Sequence, residues 1–163
     1  MNYYESVVID YLRADRAIFV NTECCIQLNQ ADNPDTSGPH WYCDAVASDF
    51  RTKTVYLCEI SYGKQLVDLT KRLKSWHESW DLLCLALKRD SYLPDWPVRP
   101  WLFVPVDLVS LLLRRLAQIS GTKSLNYVPL VTPLEMVQPW RYRSWNRIGE
   151  AAKTDLIPLA MQA

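Results

Sequence analysis

Apolar residues in the first fourteen positions recur at intervals of three and four. This spacing predicts an amphipathic helix over Tyr3–Ala14 with one face turned toward a core. Asn2 is a suitable N-cap, and Glu5 falls in the first turn, where the helix dipole favours an acid. The apolar face consists of Tyr4, Val7, Val8, Tyr11 and Leu12.

The next part of the chain has the pattern of three strands. Ala17–Leu28 is rich in β-forming residues, and the turn-forming residues of 29–39 after it predict a surface loop. Trp41–Asp49 and Val55–Tyr62 are apolar runs separated by the polar turn Arg51–Thr54, which predicts an antiparallel hairpin. Strand side chains alternate between the two faces of a sheet. One face of the third strand therefore carries Lys53, Val55, Leu57, Glu59 and Ser61.

Helical spacing returns in the second half of the chain. Leucines and tryptophans recur at intervals of three and four through Lys64–Lys88, which predicts one long helix. The apolar run Trp101–Val104 predicts a buried strand, and Val106–Ile119 predicts another helix. Tyr127–Val137 is expected to add a strand near a sheet edge, because its prolines cannot donate ladder hydrogen bonds. This order of elements predicts an α/β fold.

Composition restricts the classes of protein to consider. The chain has 163 residues and no linker-like stretch, so we expect a single domain over 1–163. Its apolar runs are too short to span a membrane, and no secretory signal precedes the first helix. Five cysteines without a CxxC pair, and only two histidines, favour reduced thiols over disulfides or a zinc site. A cytoplasmic protein without a membrane partner is expected.

Charge is distributed unevenly along a chain whose net charge is zero. Residues 1–50 contain two basic and eight acidic side chains, a net charge of −6. The remaining 113 residues contain 16 basic and 10 acidic side chains, a net charge of +6. This asymmetry suggests an acidic site in a protein whose remaining surface is basic.

Two acids, Asp44 and Glu59, lie inside the apolar strands of the predicted hairpin. An ionised carboxylate removed from water needs a cation, hydrogen bonds or a proton. Metal binding is the most specific explanation for two such acids on neighbouring strands. The alternative for Asp44 is an acid that is hydrogen-bonded to a neighbouring backbone group.

The order of helix, three strands, helix and strand, together with these acids, resembles the PD-(D/E)xK nuclease superfamily, which has the restriction-endonuclease-like fold. The resemblance covers about 3–105 and leaves about 106–163 as a C-terminal elaboration. It implies a three-layer core in which a mixed central sheet is flanked by helices. The segments around VYLCEISYGKQLVDLTKRL and RPWLFVP also look like a little-characterised group of bacterial proteins near that superfamily. The resemblance rests on Glu5, Asp44 and Glu59-Ile60-Ser61.

The resemblance implies that Asp44 and Glu59 bind Mg²⁺ or Mn²⁺, with the carbonyl of Ile60 as a third ligand and Glu5 assisting. The chain departs from the family where the lysine of the motif should stand, because Ser61 occupies that position. Lys64 could supply the missing positive charge, and Lys71 is an alternative. If neither does so, catalysis is lost and the fold acts as a binding module for nucleic acid or protein.

The expected partner of the active form is DNA, with RNA as an alternative, and a homodimer is left open. The segment WRYRSWNR, 140–147, interleaves aromatic and basic residues, but we interpret its tryptophans as core residues. Side chains near Glu59 are the candidates for contact with a nucleic-acid backbone: Ser61, Lys64, Lys71, Arg72 and Lys74.

Overall fold

The computed structural model describes residues 2–28, 40–92 and 94–137, together with the backbone of residues 157 and 158. Four helices and six strands make up this part of the chain. The helices are α1 (Tyr3–Ala14), α2 (Val67–Glu78), α3 (Trp80–Ser91) and α4 (Val109–Ser120). The strands are β1 (Ile18–Gln27), β2 (His40–Asp49), β3 (Thr54–Ile60), β4 (Val98–Val104), β5 (Leu130–Pro133) and β6 (Ile157–Pro158).

The strands form one mixed sheet in the order β1-β2-β3-β4-β5-β6. The first three strands are an antiparallel meander, whereas β4 runs parallel to β3, and β5 runs parallel to β4. The two-residue strand β6 pairs antiparallel with β5. Parallel neighbours need a crossover connection, and α2 with α3 provides it between β3 and β4. The predicted α/β fold with a mixed sheet flanked by helices is confirmed.

Both faces of the sheet are covered by helices. Helices α2, α3 and α4 pack on one face, where Leu57 of β3 meets Leu73 and Trp76 of α2. Helix α1 packs on the other face, where Leu12 lies in the same cluster as Phe103 of β4. All five of these side chains are almost completely buried. Burial on both faces explains why β3 and the second half of β4 are nearly continuous apolar runs.

Several boundaries differ from the sequence prediction. The single helix predicted over Lys64–Lys88 is wrong, because α2 ends at Glu78, and Ser79, with φ −124° and ψ 25°, separates it from α3. Trp76 and Trp80, on either side of this break, are both buried. Lys64 lies in a turn ahead of α2.

Other predictions are confirmed or lie outside the described residues. Helix α1 has the predicted bounds, with Asn2 as its N-cap. Strand β5 is shorter than predicted and lies one strand from the sheet edge. Strand β4 begins three residues before the predicted Trp101, and α4 begins after a short 3-10 turn. The predicted loop 29–39 and the segment 140–147 lie outside the described residues. None of the described helices is both long and apolar enough to cross a membrane.

Candidate functional site

Strands β2 and β3 bring Asp44 and Glu59 to neighbouring positions. The antiparallel pairing of β2 and β3 ends with Ala45 opposite Cys58, and Asp44 and Glu59 are the next residues along each strand. The charge of Asp44 raises the pKa of Glu59, which indicates that the two carboxylates lie near each other. Asp44 is half-buried and Glu59 is buried. Antiparallel pairing of β2 with β3 is consistent with the prediction that the two acids lie on neighbouring strands.

The strands are irregular at Asp44. On the β1 side, the register places Glu23 opposite Asp44, and Glu23 has a positive φ of 52°. Cys43 packs with α2, α3 and α4, whereas Ala45, two positions later, packs with α1. In a regular strand these two side chains would lie on the same face. Strand β2 therefore changes faces at Asp44.

Asp44 hydrogen-bonds the backbone of the neighbouring strand. Its Oδ2 accepts a hydrogen bond from the N–H of Ile60 at 2.8 Å, beyond the last paired residues of β2 and β3, Ala45 and Cys58. Burial raises the pKa of Asp44, while this N–H and the charge of Arg72 act to lower it. The charge of Glu5 raises it further. Asp44 therefore makes the backbone hydrogen bond that is the alternative to metal binding. It also has the acidic neighbours that a metal site requires.

Glu59 is the most strongly perturbed acid of the site. Burial, followed by the charge of Asp44, raises its pKa from 4.5 to about 8. Arg72 of α2 donates a hydrogen bond from Nη1 to Oε2 of Glu59 and opposes this rise. Because the pKa remains high, the guanidinium does not fully compensate for burial and for the second carboxylate.

The second oxygen of Glu59, Oε1, is buried, and no donor among the described residues forms a hydrogen bond to it. The thiol of Cys43 is close enough to lower the Glu59 pKa slightly. That thiol is placed to donate to the carbonyls of Ala45, at 3.1 Å, and Cys58, at 3.3 Å. An S–H group is a weak donor. Oε1 is thus a buried acceptor to which the described residues offer at most the weak Cys43 thiol.

Glu5 has a structural role at the start of α1. Its carboxylate accepts hydrogen bonds from the backbone N–H of Asn2, at 3.0 Å, and from Asn2 Nδ2, at 2.7 Å. The Asn2 side chain accepts from the Glu5 N–H in return, which completes a capping box. The predicted role at the helix N-terminus is confirmed. Its charge also reaches Asp44, as the pKa of that residue indicates.

The predicted cationic residues occupy different environments. Lys64 and Lys71 are exposed, and Lys74 is exposed with its Nζ 4.0 Å from Oε1 of Glu78. The half-buried Ser61 donates its backbone N–H to the carbonyl of Phe103 at 2.9 Å. Arg72, predicted as a nucleic-acid contact, is the cation that reaches a site carboxylate.

A helical-wheel argument could have identified this position of Arg72. Arg72 is three residues after Leu69 and four before Trp76, and both are buried against the sheet. Residues at these spacings share a helix face. Arg72 therefore lies at the margin of the buried face of α2, where its long side chain can reach β3.

The donor set fits a hard divalent cation. Mg²⁺ is usually held by one or two carboxylates, with waters and substrate phosphate completing its shell. Asp44 and Glu59 supply oxygen ligands, and a cation would satisfy the buried Oε1 and neutralise the repulsion that raises the Glu59 pKa. No group of three or more histidine, cysteine, aspartate or glutamate side chains among the described residues could hold a metal, so further ligands would come from backbone, water or substrate.

Comparisons with protein-family models, with curated proteins and with solved structures found no match to this chain.

Proposed function

We propose that this protein is a divalent-metal-dependent DNA phosphodiesterase of the restriction-endonuclease-like fold, with Asp44 and Glu59 as metal ligands. The observation that carries the proposal is that the Asp44 and Glu59 carboxylates lie near each other just beyond the last paired residues of β2 and β3, with Oε1 of Glu59 buried and without a hydrogen bond from a described residue. A strongly raised carboxyl pKa is common at functional sites. The mixed sheet flanked by helices supports the proposal, because the resemblance implies a core of that kind.

Mg²⁺ or Mn²⁺ held by these carboxylates would polarise a phosphate and lower the pKa of an attacking water. Asp44 contributes an oxygen oriented by the Ile60 N–H, and the carbonyl of Ile60 is the third proposed ligand. Glu5 acts through its charge and holds the start of α1 beside the site.

Arg72 is the best-positioned substitute for the missing lysine of the motif. Its guanidinium already contacts Glu59, and its side chain is 35% exposed, so part of it can face a ligand. A guanidinium forms strong, charge-assisted hydrogen bonds with phosphate oxygens. Lys64, Lys71 and Lys74 are exposed and would contact the DNA backbone farther from the scissile bond, with Ser61 closer to it.

The second candidate function is that of a catalytically inactive protein of this fold that binds nucleic acid or protein. The observation in its favour is the Arg72–Glu59 ion pair, since an arginine already occupies one oxygen of a proposed metal ligand. RNA as an alternative nucleic acid, and a homodimer as the oligomeric state, are further parts of the proposal. A cytoplasmic location is part of the proposal and agrees with five free cysteines.

The decisive experiment is cleavage of single-stranded, double-stranded and branched DNA by the purified chain, with Mg²⁺, with Mn²⁺ and with EDTA. Asp44→Asn and Glu59→Gln should each reduce the cleavage rate by at least about 100-fold, because each removes a metal-binding charge. Asp10→Asn is the matched control, because Asp10 is an exposed acid on α1. If neither metal supports cleavage of any of these substrates, the catalytically inactive binding protein is the better description of this chain.

A further inference from the structure

Three exposed tyrosines form a cluster at one end of α1. Tyr3, Tyr4 and Tyr62 are 75%, 42% and 47% exposed. The ring centroids of Tyr4 and Tyr62 are 4.9 Å apart, and those of Tyr3 and Tyr4 are 5.6 Å apart. We call these three residues the tyrosine cluster. Exposed aromatic rings that pack against each other present a larger apolar surface than scattered side chains do.

The tyrosine cluster is connected to the carboxylate site through the chain and through Asn2. Tyr4 precedes Glu5, and Tyr62 comes three positions after Glu59. Nδ2 of Asn2 donates to Oε1 of Glu5 at 2.7 Å and to the hydroxyl of Tyr62 at 3.1 Å. These hydrogen bonds fix Tyr62 relative to the acid that influences Asp44.

We propose that the tyrosine cluster stacks on an unpaired base of single-stranded DNA whose backbone passes the Asp44–Glu59 site. This inference rests on the proposed function and specifies its substrate class. Tyrosine rings stack on any base and need no particular sequence. Bases inside a duplex are already stacked on their neighbours, so an aromatic surface of this kind favours unpaired ones.

Charge near the tyrosine cluster supports a nucleic acid as its ligand. Lys64 is exposed and lies two positions after Tyr62, in the turn ahead of α2. Single-strand binding sites combine a basic groove that follows the backbone with aromatic rings that stack on bases. An exposed aromatic cluster followed by an exposed lysine has both components.

The test is the binding of a fluorescent single-stranded oligonucleotide and of a blunt duplex of the same sequence, measured by anisotropy with Ca²⁺ replacing Mg²⁺. Tyr62→Ala should weaken single-strand binding by about tenfold or more, from the loss of one stacking contact, and should change duplex binding by less than about twofold. Tyr62→Phe keeps the ring, loses only the hydroxyl that accepts from Asn2, and should bind like the unmodified chain.

Tyr92→Ala is the matched control, because Tyr92 is 92% exposed at the end of α3, outside the tyrosine cluster. The proposal is overturned if Tyr62→Ala binds the single strand normally, if it weakens both DNA forms equally, or if Tyr62→Phe is as defective as Tyr62→Ala. It is also overturned if the chain binds no single-stranded DNA.

These outcomes are separable from the proposed function. One outcome is metal-dependent cleavage that requires Asp44, together with normal single-strand binding by Tyr62→Ala. This outcome would support the proposed phosphodiesterase and reject the stacking role of the tyrosine cluster. Stacking without any cleavage would leave a single-strand-binding relative in which the metal chemistry is absent.

Discussion

Replacing Glu59 by glutamine is expected to stabilise the fold above pH 8 and to change it little at pH 5. Glutamine has nearly the shape of a protonated glutamate and carries no charge that burial can penalise. The pKa of Glu59 is raised from 4.5 to about 8, with burial as the largest cause and Asp44 as the next. A carboxyl group with such a raised pKa contributes stability that is complete below about pH 4.5 and is lost as the pH rises through about 8.

The size of the effect follows from the displacement of the pKa. At about 1.4 kcal/mol per unit, the displacement corresponds to a cost of up to about 5 kcal/mol above pH 8. Local relaxation reduces such costs, so a gain of about 2–4 kcal/mol for Glu59→Gln at pH 8.5 is the working expectation. The variant leaves Arg72 without an anionic partner, but that side chain is 35% exposed and can be hydrated.

The assay is urea unfolding of the unmodified chain and of Glu59→Gln at pH 5, 7 and 8.5 without divalent cations. The difference in free energy of unfolding should grow with pH in favour of the variant. Glu78→Gln is the control, because Glu78 is an exposed glutamate with only a surface ion pair, and its difference should stay within about 0.5 kcal/mol. If Glu59→Gln is destabilised equally at every pH, Glu59 is an ordinary structural partner of Arg72 and the reasoning is refuted.

Three further results are expected. Arg72→Met should lower the free energy of unfolding by about 1–3 kcal/mol at pH 8.5 and by less at pH 5, because the buried Glu59 loses its cation. Urea unfolding measures the difference, and equal losses at both pH values would contradict this. Mg²⁺ affinity, measured by calorimetry in two buffers of different ionisation enthalpy, should rise between pH 6 and 8 with proton release, because the cation must displace the proton from Glu59. Binding without proton release would contradict this. Trp101→Phe should lower the free energy of unfolding by about 1–3 kcal/mol. The buried indole N–H donates to Thr132 Oγ1 at 2.9 Å, and its loss leaves that hydroxyl without this donor. An unchanged urea midpoint would show that the hydrogen bond contributes little.

Local pattern was sufficient to predict most elements and the two strand acids. Helix α1 and its Asn2 cap follow from short-range spacing, and so do the apolar runs that become β2 and β3. Asp44 and Glu59 were identifiable because an acid within an apolar strand is costly wherever the strand lies. Their placement on neighbouring strands followed from predicting an antiparallel hairpin.

Features that depend on packing between elements could not be read from local pattern. The break between α2 and α3 at Ser79 has no glycine or proline signal in the sequence. Helical spacing places Arg72 at the margin of the buried face of α2, but its pairing with Glu59 in particular depends on how α2 lies on β3. The proximity of Tyr4 to Tyr62 likewise requires α1 and the end of β3 to meet in space.

The most direct test of the central claim, that Asp44 and Glu59 share one divalent cation, is Mn²⁺ binding measured by electron paramagnetic resonance. The unmodified chain at pH 8 should bind one Mn²⁺, and Asp44→Asn and Glu59→Gln should each weaken that binding by at least about tenfold, while Asp10→Asn should not. Binding that is unchanged in both site variants, or no Mn²⁺ binding by the unmodified chain, would contradict the claim.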